Sequence, residues 1–253
     1  MLALELAILS DQGGRSYNED ACGHWQSERQ LCCVLADGAG GHGGGDVASR
    51  LAVQDLLGAF AAAPTSDGDA LAALVRQTNA QLLAARAPGP TQDMHTTVVC
   101  LVIDAINHAA HWAHAGDSRM YWFHDGRIAQ RTRDHSLVQS LVDAQLLAEA
   151  DMTTHKQRNE LLSALGMPED DLLVGNSSAP TDIAAGDAFL LCTDGFWEYV
   201  DDAFFESSLR VADTPDAWLA ALAAQVGQAT QDKPSHDNFS ALAVWVSATP
   251  AAS

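Results

Sequence analysis

An α+β fold is predicted for this chain by three features of its sequence. Apolar residues recur at helical spacing over 46–63, 69–86 and 214–230. By contrast, Thr96 to Asp104, His108 to Ala115, Met120 to His124 and Arg127 to Arg131 are β-like runs joined by short turns, and they read as an antiparallel meander. No Ser/Gly/Pro-rich linker and no repeat of fixed period divides the 253 residues, 47% hydrophobic and 18% charged, so a single domain over 1–253 is expected.

Taken in order, Leu4 to Leu9 alternates weakly and reads as a first strand. The polar, glycine-bearing stretch from Asp11 to Asp20 is loop-like, and its Arg15, Glu19 and Asp20, taken alone, read as a surface ion pair of little energetic worth. Leu31 to Ala36 is an apolar strand that stops at Asp37-Gly38, with a glycine-rich run after it to Gly45. An acid at the end of a buried strand, followed by backbone that only glycine can thread, suits a ligand or metal site. Asp-Gly is also an ordinary turn dipeptide. Two further copies act as controls: Asp67-Gly68 lies in a polar linker, and Asp125-Gly126 separates two strand-like runs as a hairpin turn does. Asp194-Gly195 repeats the first pattern, because Phe189-Leu-Leu-Cys-Thr193 leads straight into it.

Asp46 is placed to cap the first helix, whose face carries Val47, Leu51, Leu56, Leu57 and Phe60. The second helix presents Leu71, Leu74, Val75, Leu82 and Leu83 and ends at Pro88-Gly-Pro90. No Gly-Lys-Ser/Thr follows the glycine run, which argues against a nucleotide-binding loop. Within the meander sits Ala115-Gly-Asp-Ser-Arg119, a third acid at a strand end. His111 and His114, three apart on a strand, face opposite sides and so are structural rather than zinc ligands. Leu137 to Asp143 and Glu149 to Leu165 read as short helices, broken at Gly166-Met-Pro168; this polar, mixed stretch is where a flap, about 137–173, would fit. Ala188 to Thr193 is a strand, 214–230 a helix with Trp218, Leu219, Leu222 and Val226 inward, and Phe239 to Val246 a final strand preceded by Asp237-Asn238.

A net charge of -20 argues against nucleic acid and anionic membrane surfaces as partners. Five cysteines without Cys-x-x-Cys spacing suggest a reducing compartment. With no signal-like N-terminus and no apolar run of roughly 18 residues, a soluble cytoplasmic protein is expected.

Asp20, Asp37, Asp194 and Asp237 each border a strand-like run, so strands stacked in one core can bring them together. At about 5 Å and an effective dielectric near 20, each pair of carboxylates repels by roughly 3 kcal/mol. Hard divalent cations relieve that repulsion, and oxygen-only ligands favour Mg²⁺ or Mn²⁺ over zinc. Two such ions can ionise a water and clamp a phosphoryl group, which Arg15 can grip.

The motifs Arg15-x-x-Asn-Glu-Asp20, Ala36-Asp-Gly-Ala-Gly-Gly-His42, Met94-His-Thr-Thr97, Ala115-Gly-Asp-Ser-Arg119, Asp134-His-Ser136, Arg158-Asn159, Thr193-Asp-Gly195 and Asp237-Asn238 occur in one order over roughly 10–246. In these the chain resembles the metal-dependent protein serine/threonine phosphatases of the PPM (type 2C) family, particularly compact bacterial members. The resemblance implies a four-layer α-β-β-α sandwich of two largely antiparallel sheets flanked by helices. It implies a dimetal site in which Asp37 bridges both ions and Gly38 lends its carbonyl. Asp20, with Glu19 beside it, serves the second ion, and Asp194 and Asp237 hold the first, with Asn238 behind them. Asp117 matches the acid that some bacterial members use, with Asp194, for a third metal. Arg15 matches the substrate-phosphate arginine, and a metal-bridging hydroxide attacks phosphorus directly, without a phospho-enzyme. His42 is the candidate proton donor; Ala39 stands where many eukaryotic members carry histidine and bacterial ones methionine. His95, Gln145 and Leu162-Ser163 also depart from the family's usual residues, which bears on substrate preference rather than on metal binding.

The implied partners are phosphoserine and phosphothreonine proteins and a bacterial Ser/Thr kinase. Two other functions compete: a pseudophosphatase that binds phosphoprotein without hydrolysing it, which the retained acids and Arg15 argue against, and a hydrolase of small phosphoesters using the same metals. No sensor domain, anchor or long tail is expected, so specificity falls to the catalytic surface and the flap.

Overall fold

The computed structural model describes residues 2–39, 44–89 and 91–249. The strands are β1 (Leu2–Asp11), β2 (Asp20–Gln26), β3 (Gln30–Ala39), β4 (His95–Thr96), β5 (Val98–Asp104), β6 (Ala109–Ala115), β7 (Arg119–His124), β8 (Arg127–Arg131), β9 (Gly175–Asn176), β10 (Thr181–Asp182), β11 (Ala188–Cys192) and β12 (Phe239–Ala248). The helices are α1 (Gly45–Ala62), α2 (Gly68–Ala85), α3 (Leu137–Asp143), α4 (Asp194–Trp197), α5 (Asp202–Val211) and α6 (Pro215–Ala229). Among the described residues one sheet runs β1-β12-β11-β7-β8 and the other β10-β6-β5-β3-β2, with β4 on β3 and β9 on β6, every pairing antiparallel.

The central strands read as unbroken apolar runs because both of their faces are buried. In β3, Cys32, Val34 and Ala36 pack under α1 and α2, while Leu31, Cys33 and Leu35 face the opposite sheet. β5 divides in the same way, with Cys100 and Val102 outward and Val99, Leu101 and Ile103 inward. From the other sheet, Phe189, Leu191, Leu242 and Val244 complete the inner layer, and Leu190, Ala241 and Ala243 meet Trp218, Leu222 and Val226 of α6. Three apolar layers between four structural ones make the expected α-β-β-α sandwich. No helix among the described residues is long and apolar enough to cross a membrane.

Several expectations are corrected. Residues 96–131 do not form one meander: β5–β6 pair in one sheet, β7–β8 in the other, and the chain changes sheet between Ala115 and Arg119. Gly116 makes that change possible, since it sits at φ +104° and a Cβ there would lie 2.7 Å from Thr97 Cγ2. β3 does not stop at Asp37, because β4 pairs Thr96 with Gly38 and His95 with Ala39. Asp46 does not cap α1; it lies in the first turn and pairs with Arg50 at 2.7 Å. Asp67 is the cap instead, for α2, accepting the Ala70 amide at 2.8 Å, so the supposed linker is a helix start. Of Glu149 to Leu165 only Glu149–Thr154 is helical, as a 3-10 turn. Strand β2 and helices α4 and α5 have no counterpart in the sequence reading; α5 is amphipathic, with Phe205 and Ser208 buried, and its period is simply not among those recognised.

Asp125-Gly126 does turn the β7–β8 hairpin, with φ of 51° and 68°. Beside it, buried Asp187 accepts from Trp122 Nε1 at 3.1 Å and His124 Nδ1 at 2.7 Å. These contacts with Asp187 raise the His124 pKa above its ordinary 6.5. A raised imidazole stabilises the fold fully below the unfolded pKa, and that stability is lost as pH rises through the folded value. A His124→Gln variant should therefore trail wild type in urea midpoint at about pH 5.5 and converge with it above about pH 8.5. A gap that is the same at both pH values would contradict this ion pair.

Candidate active site

Asp20 opens β2 directly opposite Asp37 on β3, a cross-strand pairing of like charges that is unfavourable without a counterion. The Asp37 backbone is held tightly: its N–H donates to Thr97 Oγ1 at 3.0 Å, and its carbonyl accepts from Thr96 Oγ1 and Thr97 N, each at 2.8 Å. Gly38 follows where α1 begins. A Cβ there would lie 2.1 Å from the Gly45 carbonyl oxygen and 2.7 Å from that of Glu19, so only glycine lets β3 pass this close to the helix start. Asp194 leads α4 at the end of β11, and Asp237 precedes β12, the strand next to β11. Asp117 lies in the sheet-changing turn, where its carbonyl accepts from Trp197 Nε1 at 3.0 Å.

These elements end at one cleft of about 200 Å³, lined by Arg15, Glu19, Asp37, Gly38, Asp117, Asp194 and Asp237, with Ala39, Thr97, Asn159 and Leu161. Asp20 stands behind it, its Oδ2 accepting from Thr193 Oγ1 at 3.2 Å. Asn238 ties the rim together: its Oδ1 accepts the Glu19 amide at 2.8 Å, and its Nδ2 donates to the carbonyls of Gln12 and Tyr17 at 2.7 and 3.1 Å. Arg15 Nη2 lies 2.7 Å from Asp237 Oδ2, not on Glu19 or Asp20 as its local sequence suggests. His42 lies outside the described residues.

The electrostatics are those of uncompensated acids. Burial pushes the Asp37 carboxyl well up, and Asp20, Asp194 and Asp117 push it further. Asp117 is raised by burial and then by Asp194. Asp194 is raised by burial and Asp237, and shares a hydrogen bond with Asp37. Burial, then Asp194 and Asp237, lift Asp20 to about 7 against the pull of Ser240 and Thr193. Glu198, one turn after Asp194, is carried to about 7 by burial and by Asp194. Two larger hollows, about 440 and 470 Å³, differ in kind, since acids that line them are already neutralised, Asp134 by Arg119, Asp143 by Arg133 and Glu149 by Arg131.

The cleft fits divalent cations. Its donors are all oxygens, and Asp20 Oδ1 and Glu19 Oε1 are buried without any hydrogen-bond partner. No group of three or more His, Cys, Asp or Glu among the described residues closes into a single coordination shell. Hard cations that retain several of their waters are held partly through those waters, so the carboxylates of such a site do not have to close on one point in the metal-free protein.

His111 and His114 have partners within the fold: His111 Nδ1 lies 3.4 Å from Ser177 Oγ, His114 Nε2 lies 2.9 Å from the Arg133 carbonyl oxygen, and the His114 ring stacks on His135 at 4.7 Å. Thr97 and Asn159 line the cleft although neither carries an assigned role in the sequence reading; their only signal was membership in the Thr-Thr and Arg-Asn motifs. Glu198 had no signal at all.

A sequence model of the family Protein phosphatase 2C matches residues 12–233, and the chain belongs to that family. It is 33% identical over 224 residues to the serine/threonine protein phosphatase PstP of Mycobacterium tuberculosis. That match covers 85% of this chain but 41% of PstP, so the chain spans less than half the length of this relative. The solved serine/threonine phosphatase of S. agalactiae superposes with a TM-score of 0.84 at 25% identity, over 96% of this chain and 99% of that one. The catalytic domain of PstP, solved in complex with 2 manganese ions, superposes with a TM-score of 0.81 at 28% identity, over 98% and 100% of the two chains.

Proposed function

We propose that this chain is a Mg²⁺- or Mn²⁺-dependent protein phosphatase acting on phosphoserine and phosphothreonine by direct attack of water, without a phospho-enzyme. The observation that carries the reading is the convergence of four aspartates from distant stretches, with Asp20 behind them and one arginine, on a cleft where Asp37, Asp117 and Asp194 are buried among like charges. Asp37 and the Gly38 carbonyl would hold two ions between them, Asp194 and Asp237 the first, Asp20 with Glu19 the second, and Asp117 with Asp194 a third. Bound there, divalent cations supply the charge that ionises a water and screens the phosphoryl oxygens.

The residues' own contribution is placement. Thr96 and Thr97 fix the Asp37 backbone, so its carboxylate does not have to reorganise during the reaction. Asn238 locks the loop carrying Arg15 and Glu19 to the start of β12. Arg15, half exposed beside Asp237, can turn its free donors to phosphate oxygens. Asn159 and Leu161 bring the 137–173 segment, the proposed flap, to the cleft wall.

Phosphate release from a phosphothreonine peptide should vanish in chelator and return with Mn²⁺ or Mg²⁺. No turnover with any divalent metal, despite measured metal binding, would replace this reading with a phosphoprotein-binding module.

A further inference from the structure

The chain carries 33 acidic residues against 13 Lys and Arg. Ten of its arginines are engaged in ion pairs with carboxylates. Arg86 instead donates to the Met94 carbonyl at 3.0 Å and meets His95 at 3.2 Å. That leaves Lys156 and Lys233, the only two lysines in the sequence. Both are exposed, and among the described residues neither has a carboxylate partner. Both also belong to segments that lead into the same cleft. Lys156 lies on the loop whose Arg158 pairs with Glu198 at 3.2 Å and whose Asn159 lines the cleft. Lys233 lies 4.5 Å over the ring of Tyr199, the neighbour of Glu198. Its carbonyl accepts the His236 amide at 3.1 Å, in the turn that delivers Asp237 to the cleft.

Solvated surface lysines need no special account, but these two are the exception in a chain that otherwise pairs its exposed cations. Neither lines the cleft, so neither is placed to grip a phosphoryl group held beside Arg15 and the aspartates. What they can reach is the substrate chain on either side of the phosphorylated residue. A protein of net charge -20 repels acidic segments, and that repulsion is strongest within about a Debye length, ~10 Å at 0.1 M salt. Two uncompensated ammonium groups on segments that lead into the cleft reverse the sign locally. We infer that Lys156 and Lys233 form a cationic rim that selects phosphoprotein segments with Asp or Glu flanking the phosphorylated residue, an inference that rests on the phosphatase reading above.

The test uses three phosphothreonine peptides, flanked by Asp/Glu, by Ala/Ser or by Lys/Arg. With the Mn²⁺-loaded protein, both kcat/KM and binding by fluorescence anisotropy are measured at low and high salt. Wild type should favour the acidic peptide. The double variant Lys156→Ala/Lys233→Ala should lose about three- to tenfold on that peptide alone, as expected for two exposed charge contacts. It should stay within about twofold of wild type on the neutral peptide and on p-nitrophenyl phosphate, and Lys156→Glu/Lys233→Glu should invert the preference. A wild type without preference or preferring the basic peptide, or a loss shared equally by all substrates, overturns the rim. Failure of the phosphatase reading is seen separately, as no turnover of any substrate. The anisotropy ranking still decides the rim in that case, and the absence of binding by any peptide overturns it as well.

Discussion

Replacing Asp37 with Asn is expected to cut turnover of a phosphothreonine peptide by about a thousandfold or more, the loss typical of removing a preorganised charge at a reacting centre. The substitution is nearly isosteric, and the backbone at this position is fixed from outside by Thr96 and Thr97. The change is therefore confined to one carboxylate that faces Asp20, Asp194 and Asp117. Removing a like charge from that cluster should leave the metal-free protein at least as stable as wild type, while the stabilisation given by added Mn²⁺ shrinks. Saturating one site a hundredfold above its Kd is worth about 2.7 kcal/mol. Thermal melts with and without Mn²⁺, beside the activity assay, separate a lost ligand from a lost fold. Wild-type turnover in Asp37→Asn would remove Asp37 from the centre of the site.

The largest stability loss is expected at Asp134. Its side chain is 2% exposed and receives Arg119 Nε at 2.9 Å and Nη2 at 2.8 Å, a bidentate pair whose arginine is 7% exposed. The remaining nitrogen donates to Tyr121 Oη at 3.1 Å, and the guanidinium stacks 3.5 Å over Trp197, whose indole N–H holds the Asp117 carbonyl. Asp134→Ala strands a buried cation and should cost about 3–5 kcal/mol in urea unfolding. The double change Arg119→Met/Asp134→Leu removes both charges and should cost much less, because an unpaired buried ion is more costly than the loss of the attraction itself. Equal losses in the two variants would point to packing instead. The same stack supports the turn carrying Asp117, so metal affinity should fall in Asp134→Ala before the fold is lost.

Much of the site is legible in sequence because its chemistry is written locally. An apolar run closing on Asp-Gly, twice, marks a buried strand that delivers an acid, and Asp37 and Asp194 do line one cleft. Gly38 is legible for the same reason: only a residue without Cβ fits between β3 and Gly45. Helix α6 is legible because Trp218, Leu219, Leu222 and Val226 recur with its period and are buried.

Other features depend on contacts between distant stretches of chain. The extension of β3 past Asp37 depends on β4, some sixty residues later, supplying the ladder. The split of 98–131 between two sheets depends on which partners β5 and β7 find, β3 and β11, and alternation along a strand carries no record of its neighbour. Arg15 is four residues from Glu19 yet pairs with Asp237, |i−j| = 222, because the sandwich closes β12 against the first loop. By itself the sequence determined where the long apolar strands and helices lie, which residues are acid and where only glycine fits, since these follow from side-chain chemistry and local backbone sterics. The tertiary structure alone decided which charges meet and which, like Lys156 and Lys233, have no carboxylate partner among the described residues, since pairing is a property of distance in space.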